Sequence, residues 1–412
     1  MNKAYKYKLL PNQQQIQLLQ QIAGNSRWLW NYMLAQQQTK YDQDKKFVFA
    51  IEMANQLPAL KKTNNWLSLS PSQSLQQTCI DQDIALKSVW KSGFGFPKFK
   101  SKHKSRDSFR IPQSNSKTPH IKVSSSHITI PKIGLIKWCY HRPVEGKIKS
   151  ITISRDIEDW YVSILVEIPD VVPIPIKVST SKSIGIDLGI THFLIDSNGN
   201  KVASPKYLKQ KLRKLKHYNR IHAKKTNGSK NKAKSRNRLA RVHREIRCSR
   251  KDFLDKLSNQ IVKTYDIICL EDLKIKNLMK GKNKSLNRAI SDQGWGMFTS
   301  LLAQKARRDG KTITKINTYA PSSKTCSCCG YKMNKMSLDI RNWCCPSCNT
   351  EHDRDINAAN NILFWGLLQT KNTEGTSEIN ACGDTSTQNV VAYDTILEVS
   401  EKQEACGSLV RR

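Results

Sequence analysis

Apolar and polar positions alternate at the start of the chain and again from Phe109 to Pro169, where short runs are separated by Pro, Gly and Ser. Tyr5 and Tyr7 share one face of the first run. A period of two that is broken by turn residues is typical of antiparallel strands. The pattern predicts a small β-barrel formed by residues 1–10 and 92–180, with the first run as one of its strands.

Between these runs, apolar residues recur at the spacing of an α-helix. Apolar side chains recur on one side after Pro11, as at Leu19, and a further helix begins at Ser70-Pro71. A serine followed by proline at the first helical position is a typical helix start. Residues 11–91 are therefore predicted to form a helical domain inserted into the barrel.

Strands and helices alternate in the second half. A strand within residues 182–189 precedes a hairpin at Asn198-Gly199, two basic helices and an apolar strand at residues 266–270. Further helices and strands complete the order β-β-β-α-β-α-β-α, which is the ribonuclease H-like arrangement, and in that fold the first and fourth strands are neighbours. The chain is therefore predicted to be a multidomain α/β protein. The polar segment 369–412 lacks periodicity and is predicted to be a largely disordered tail.

The chain of 412 residues carries 69 Lys and Arg against 33 Asp and Glu. Residues 206–251 hold 19 of these basic residues and one acid, in two helices broken near Gly228. A solvated helical face is the simpler interpretation, but like charges at this density repel unless a polyanion neutralises them. We therefore expect these helices to bind nucleic acid through Lys211, Arg213, Lys214, Arg220, Arg236, Arg238, Arg241 and Arg244.

No run approaches the roughly 18 apolar residues of a membrane span. The first residues also lack the apolar core of a signal peptide. These features predict a cytoplasmic, nucleoid-associated protein with no membrane partner.

Four acidic residues at three places stand out in the predicted fold. Asp187 lies in the first strand, Glu271 ends the fourth, and Asp353 and Asp355 open the last helix. Neighbouring strands would bring the first two together, and the helix could bring Asp355 to the same place while Asp353 caps it. Clustered carboxylates repel one another, and divalent cations relieve this by taking oxygen ligands. We predict a site for two Mg²⁺ ions that cleaves phosphodiesters, formed by Asp187, Glu271 and Asp355.

Each acid alone has an ordinary explanation, as a hydrogen-bonded polar residue, a surface acid or a helix cap. The segment GIDLG at residues 185–189 is also similar to the first phosphate loop of actin-like and chaperone ATPases. That fold needs a second glycine-rich phosphate loop, which the sequence lacks. The nuclease interpretation therefore depends on all three acids together.

Two Cys-x-x-Cys pairs with fifteen residues between them predict a tetrahedral zinc site, with ligands Cys326, Cys329, Cys345 and Cys348. Four protein ligands leave no open position, so the zinc is predicted to be structural. Gly330 and Asn349 follow the two pairs and tolerate the left-handed backbone of a tight turn. Cys328 and Cys344 lack such a follower and are predicted to be bystanders, although either could substitute.

Together these residues resemble the TnpB family of transposon-encoded nucleases, which are similar to type V CRISPR effectors. The resemblance covers almost the whole chain and is carried by IGIDLGI, ICLEDLKIKNL, the cysteine pairs and HDRDINAANNIL, in that order. It implies a RuvC-like nuclease domain at residues 181–325 and 349–368, a zinc-ribbon insertion at 326–348, an N-terminal barrel and a helical recognition domain. It further implies a guide RNA from the transposon end and cleavage of double-stranded DNA beside a short transposon-adjacent motif.

In this resemblance Asp187, Glu271 and Asp355 match the three catalytic acids, and the four predicted cysteine ligands match the family's zinc ligands. Cys328 and Cys344 stand where the family usually has other residues. The expected function is an RNA-guided, Mg²⁺-dependent DNA endonuclease that acts as a monomer on one RNA. A transposase that performs strand transfer with the same acids, and a regulator that only binds nucleic acid, are the alternatives.

Overall fold

The computed structural model describes residues 2–92, 95–102, 105–113, 119–169, 182–337 and 339–374. The chain forms two compact units, Met1–Val171 and Val172–Arg412. The first unit contains strands β1 (Asn2–Leu10), β2 (Ser108–Pro112), β3 (Lys122–Val123), β4 (His127–Ile130), β5 (Gly134–Trp138), β6 (Lys147–Asp156) and β7 (Asp159–Glu167), helices α1 (Gln13–Asp44), α2 (Ala50–Asn55), α3 (Leu57–Thr63) and α4 (Ser72–Ser92), and a 3-10 helix at Asn65–Leu69.

The seven strands of the first unit form one antiparallel sheet in the order β2-β6-β7-β1-β5-β4-β3. β1 lies between β7 and β5, with Tyr5, Tyr7 and Leu9 fully buried, so the N-terminal run joins the later strands. Gln113, next to the end of β2, exchanges two hydrogen bonds with the backbone of Ile121, next to the start of β3. Closure of this sheet into a barrel stays a prediction.

The helices of the first unit follow β1. α1 begins after Asn12, which forms a reciprocal capping box with Gln15. Leu29, Met33 and Leu75 form a core shared by α1, α4 and the short helices between them. α2, α3 and the 3-10 helix were not predicted, because each is too short to show an apolar period.

The second unit contains strands β8 (Ser183–Asp187), β9 (His192–Asp196), β10 (Lys201–Ala203), β11 (Ile267–Glu271), β12 (Thr312–Ile316), β13 (Asn342–Cys344) and β14 (Glu351–Asp353), and helices α5 (Tyr207–Ala223), α6 (Lys230–Thr264), α7 (Ile275–Leu278), α8 (Lys284–Gln293), α9 (Trp295–Arg308) and α10 (Arg354–Glu374). Among the helices in the described part of the chain, none is long and apolar enough to cross a membrane.

The central sheet of the second unit has the order β10-β9-β8-β11-β12. β8, β9 and β10 are antiparallel, whereas β11 runs parallel to both β8 and β12. The prediction that the first and fourth strands are neighbours is confirmed. Ile268 and Leu270 of β11 pack in a core with α6 and α9, while Ile267 and Cys269 pack in a second core with α10. Burial on both faces explains the continuous apolar run of this strand.

α10 continues to Glu374, beyond residue 368, where the nuclease domain was predicted to end and the disordered tail to begin. Near the end of this helix, the hydroxyl of Thr370 lies 2.8 Å from the hydroxyl of Thr314 on β12 and forms a hydrogen bond with it. This contact holds the later turns of the helix against the sheet, so the start of the polar tail is helical. The rest of the predicted disordered tail lies outside the described residues.

Gly185 in β8 is the point where α10 approaches the sheet most tightly. A Cβ at this position would lie 2.1 Å from the carbonyl oxygen of Ala359 and 2.7 Å from Leu363. Since the helix would have to shift, Gly185→Ala is expected to lower the free energy of unfolding by about 3 kcal/mol, measured by urea denaturation. Gly281→Ala is the matched control, because a Cβ there meets nothing within 4 Å. Equal stability of the two variants would contradict the close packing.

Candidate functional site

The two cysteine pairs form matching turns. In the first, the amide of Gly330 donates to the carbonyl of Cys326 at 3.0 Å, and in the second the amide of Asn349 donates to the carbonyl of Cys345 at 2.9 Å. Gly330 and Asn349 have φ of 78° and 55°, so both adopt the left-handed conformation predicted for the residue after each pair. The turns present the four thiols to a common centre.

The four predicted ligands Cys326, Cys329, Cys345 and Cys348 form a cluster whose sulfur atoms lie within 4.8 Å of one another. Two of the sulfur pairs, Cys326–Cys348 and Cys329–Cys345, are 3.6 Å apart. A tetrahedral zinc with Zn–S bonds of about 2.3 Å needs sulfur separations of roughly 3.8 Å. The donor set therefore fits a zinc ion and can hold one.

Cys328 and Cys344 are exposed and lie outside this cluster. The sequence did not predict His352 on β14, whose Nε2 lies 3.0 Å from Sγ of Cys326. Burial lowers the pKa of His352, which favours the neutral imidazole. A neutral ring can donate an N–H to a thiolate, so His352 can support Cys326 as a ligand. Its spacing from the cysteines gave no recognisable zinc motif.

The three predicted carboxylates lie near enough to one another in the second unit for Glu271 and Asp355 to act electrostatically on Asp187. Asp187 ends β8 and Glu271 ends β11, and these strands are parallel neighbours, so both acids lie at the same edge of the sheet. Asp355 lies in the first turn of α10, which packs on β8. Burial, followed by repulsion from Glu271 and Asp355, raises the pKa of Asp187 to about 7. Carboxylate oxygens are hard ligands of the kind that divalent cations prefer.

Asp353 and Asp355 have different surroundings. The carboxylate of Asp353 accepts hydrogen bonds from the backbone amides of Asp355 and Ile356, and its other oxygen lies 2.5 Å from Nζ of Lys201. Burial acts to raise its pKa, but these bonds lower it overall. Asp353 therefore caps α10, while Asp355 has a longer ion pair of 3.3 Å with Arg341. This arrangement supports Asp355 as the ligand.

Glu271 has a partner that the sequence did not predict. The hydroxyl of Ser322 donates a hydrogen bond of 2.6 Å to Oε1 of Glu271. Burial raises the pKa of Glu271, and this hydrogen bond opposes the change. One feature of the sequence does point to a buried polar contact here. Asn357 and Asn361 stand inside the apolar run of α10, and asparagine is unfavourable in a helix interior unless its side chain has hydrogen-bond partners.

The raised pKa of Asp187 predicts an unusual pH dependence in the absence of divalent cations. The folded pKa of about 7 exceeds the ordinary value of 3.8, so the stabilising effect of the bound proton is complete below 3.8 and is lost as pH rises through 7. We expect the free energy of unfolding of zinc-loaded, Mg²⁺-free protein to fall by more than about 1.4 kcal/mol between pH 5 and pH 8.

Urea denaturation in resin-treated buffer without chelator measures this fall, because a chelator would also remove zinc. Saturating Mg²⁺ should suppress the fall in the free energy of unfolding, because the cation replaces the proton as the partner of the carboxylate. Asp187→Asn should flatten the pH dependence. An unchanged slope in Asp187→Asn would show that other groups cause the fall.

The basic helices α5 and α6 pair along Leu215, Val242 and Ile246. Of the residues predicted to bind nucleic acid, the exposed ones are Arg213, Lys214, Arg220, Arg236, Arg238 and Arg241. Lys211 and Arg244 are partly buried. Lys211 and Lys214 both lie 3.5 Å from the carboxylate of Glu245, so this one acid forms ion pairs with two of the lysines. Most of the positive charge on this hairpin faces solvent.

The sequence is similar to known proteins over most of its length. Residues 163–282 match a family described as "Probable transposase", residues 295–362 match a "Cas12f1-like, TNB domain", and residues 1–46 match a "Helix-turn-helix domain". A Streptomyces pristinaespiralis protein named "Putative RNA-guided DNA endonuclease" is 33% identical over 387 residues, which cover 93% of this chain and 92% of that protein. The chain belongs to the TnpB family. Within this family, InsQ of Escherichia coli K12, which bears the same descriptive name, is 31% identical over 88% of this chain and 92% of its own length.

The fold of this TnpB family member is also found among solved structures. The Cas12f1 chain in "Cryo-EM structure of the Cas12f1-sgRNA-target DNA complex" matches with a TM-score of 0.53 at 15% identity, over 88% of this chain and 98% of that chain. The likeness shows a shared mixed α/β fold. The segment that matches the helix-turn-helix description consists here of β1 and α1, a strand and one long helix.

Proposed function

We propose that this chain is an RNA-guided endonuclease that cleaves double-stranded DNA beside a short transposon-adjacent motif. The observation that carries the proposal is that Asp187 and Glu271 lie at the same edge of the central sheet and that Glu271 and Asp355 both help to raise the pKa of Asp187. The named function of the relatives supports it. In this proposal the second unit is a ribonuclease H-like, RuvC-like nuclease domain that contains a zinc ribbon.

The remaining parts of the proposal concern the first unit and the partners. Residues 1–10 and 92–180 would form a β-barrel, and residues 11–91 a helical recognition domain. The protein would act as a monomer on one guide RNA transcribed from the transposon end, in the cytoplasm and associated with the nucleoid. The titles of the similar proteins name guide RNA and target DNA for those proteins, which supports both partners here.

Asp187, Glu271 and Asp355 would hold Mg²⁺ through their carboxylate oxygens. When bound, a pair of such ions supplies an activated water and stabilises the leaving oxygen of a phosphodiester. The chain's own contribution is to fix the ligands before substrate arrives. β8 and β11 present two of the acids from a rigid sheet, and Asp353 caps the helix that presents the third. The N-terminus of α10 also favours negative charge at Asp355.

The basic hairpin formed by α5 and α6 would bind the phosphates of the guide RNA or of its duplex with DNA. An RNA-guided protein contacts the duplex through its backbone and leaves sequence recognition to base pairing, so it needs many solvent-facing cations. Exposed arginines on both helices meet this need. Binding through phosphates weakens steeply with salt, because counterions are released.

Sequencing of the RNA that copurifies with the protein from its host tests this function. We expect one discrete species that maps to the transposon end. The triple variant Arg213→Ala/Arg220→Ala/Arg236→Ala removes three exposed cations of the hairpin. Its retention of this RNA should fall roughly 10-fold or more at physiological salt, and its RNA affinity should depend less steeply on salt concentration. Filter binding across a salt series measures the change.

Lys256→Ala is a suitable control, because Lys256 is exposed on α6 but forms an ion pair with Asp252 and lies outside the predicted set. Random cellular RNA in the wild type, or equal retention by the triple variant and the control, would contradict the proposal. The similarity to a family described as "Probable transposase" keeps strand transfer as the second candidate. Excision and joining of transposon ends without guide RNA would favour that candidate.

A further inference from the structure

Ser322 lies in the connection between β12 and the first cysteine pair. Its side chain is almost completely buried, with 4% of the residue exposed, and its hydroxyl donates to Oε1 of Glu271 at 2.6 Å. A buried hydroxyl that donates to one carboxylate oxygen fixes the rotation of the carboxylate and leaves the second oxygen available. Outer partners of this kind orient metal-ligating carboxylates.

The backbone around Ser322 is held by two asparagines of α10. The side chain amide of Asn361 donates to the carbonyl of Ser322 at 2.8 Å and to the carbonyl of Thr325 at 2.6 Å. Asn357 donates to the same carbonyl of Thr325 at 2.7 Å and accepts from the amide of Ser327 at 2.8 Å. Both asparagines are buried, at 1% and 4% exposed. We call Asn357 and Asn361 the asparagine clamp.

A buried polar network of this kind is costly unless every member is satisfied, and a satisfied network holds one geometry. The clamp lies on the same helix as Asp355, about half a turn and just under two turns further along. It fixes Ser322 relative to that helix, and Ser322 in turn contacts Glu271. The network therefore joins the elements that carry the second and third acids.

We propose that Ser322, held by the asparagine clamp, is a positioning residue that orients Glu271 for divalent-cation binding. The inference rests on the proposed function, because it assigns Glu271 a metal that a nuclease would use. If residue 322 only filled space, it would need no hydroxyl, and its backbone would need no buried side-chain amides as hydrogen-bond donors. Both are present, and each has a partner at hydrogen-bonding distance.

The test measures Mn²⁺ binding to zinc-loaded protein by electron paramagnetic resonance, with Mn²⁺ in the place of Mg²⁺. We expect Ser322→Ala to bind Mn²⁺ about 10-fold more weakly and to need about 10-fold more Mg²⁺ for half-maximal cleavage. Ser322→Thr keeps the hydroxyl and should restore both values. Ser323→Ala, a neighbouring serine outside the network, is the control. Wild-type Mn²⁺ affinity in Ser322→Ala would overturn the proposal.

The clamp is tested in the same assay. Asn361→Leu should weaken Mn²⁺ binding in the same direction, with zinc content unchanged, and the double variant with Ser322→Ala should be no weaker than the weaker single variant. Additive losses would show that the two residues act independently and would overturn the clamp. Asn357→Leu provides the same comparison if Asn361→Leu does not fold. Because the Mn²⁺ assay contains neither RNA nor DNA, a wild type that binds Mn²⁺ but cuts nothing would refute the nuclease function alone.

Discussion

Asp187→Asn is expected to reduce DNA cleavage by roughly 10³-fold or more, which corresponds to about 4 kcal/mol of transition-state stabilisation. Asparagine keeps the shape of the side chain but removes the negative charge that balances a bound cation. Burial and repulsion from its acidic neighbours raise the pKa of Asp187 to about 7, so its charge depends strongly on a counter-ion. Single-turnover cleavage of a matched target by the protein with its copurified RNA measures the effect.

Asp272→Asn is the matched control for this prediction. Asp272 follows Glu271 directly, is about half exposed, and forms an ion pair of 3.3 Å with Lys315. Its neutralisation should leave the cleavage rate close to that of the wild type. Wild-type cleavage by Asp187→Asn would exclude the proposed metal site.

Cys345→Ser is expected to release zinc and to lower the free energy of unfolding of the zinc-bearing segment by more than about 4 kcal/mol, since a structural zinc contributes about 10–16 kcal/mol in small fingers. Cys345 is fully buried and is one of the four cysteines of the cluster, so serine leaves a buried hydroxyl in place of a thiolate ligand. Inductively coupled plasma mass spectrometry gives the zinc content, and limited proteolysis between residues 325 and 353 reports the loss of structure.

Cys344→Ser is the control, because Cys344 adjoins the buried ligand in sequence but is exposed and lies outside the cluster. It should retain one zinc and the wild-type proteolysis pattern. Zinc loss from Cys344→Ser together with retention by Cys345→Ser would reverse the assignment of the second pair.

The parts of the second unit that the sequence predicted are those with a local pattern. β11 is apolar at successive positions because both of its faces are buried, and Glu271 marks its end. The cysteine pairs have a regular spacing because tight turns of this kind can present four thiolates to one ion. The basic helices are separated near Gly228, where the backbone has φ of 80°. Each of these features depends on residues that are close in sequence.

The missed features depend on residues that are distant in sequence or on very short elements. Ser322 contacts Glu271 across 51 positions, and His352 contacts Cys326 across 26, so no local period reveals either pair. α7 and α8 lie within a basic run where apolar residues are sparse, and Ile290 is one of few that are buried there. Closure of the predicted barrel needs edge-to-edge pairing, which alternation alone does not specify, so closure stays a prediction.

The β13–β14 hairpin, which carries the second cysteine pair, runs directly into α10, since β14 ends at Asp353 and α10 begins at Arg354. The amide of Arg354 donates to the carbonyl of Arg341 next to β13, so the junction itself is hydrogen bonded. No spacer is available to absorb a change in length at this point. Chimeras between relatives should therefore exchange the whole cysteine-bearing segment and the helix as one block, with one crossover before Cys326 and the other after α10. A one-residue insertion at the junction would rotate Asp355 by about 100° around the helix axis.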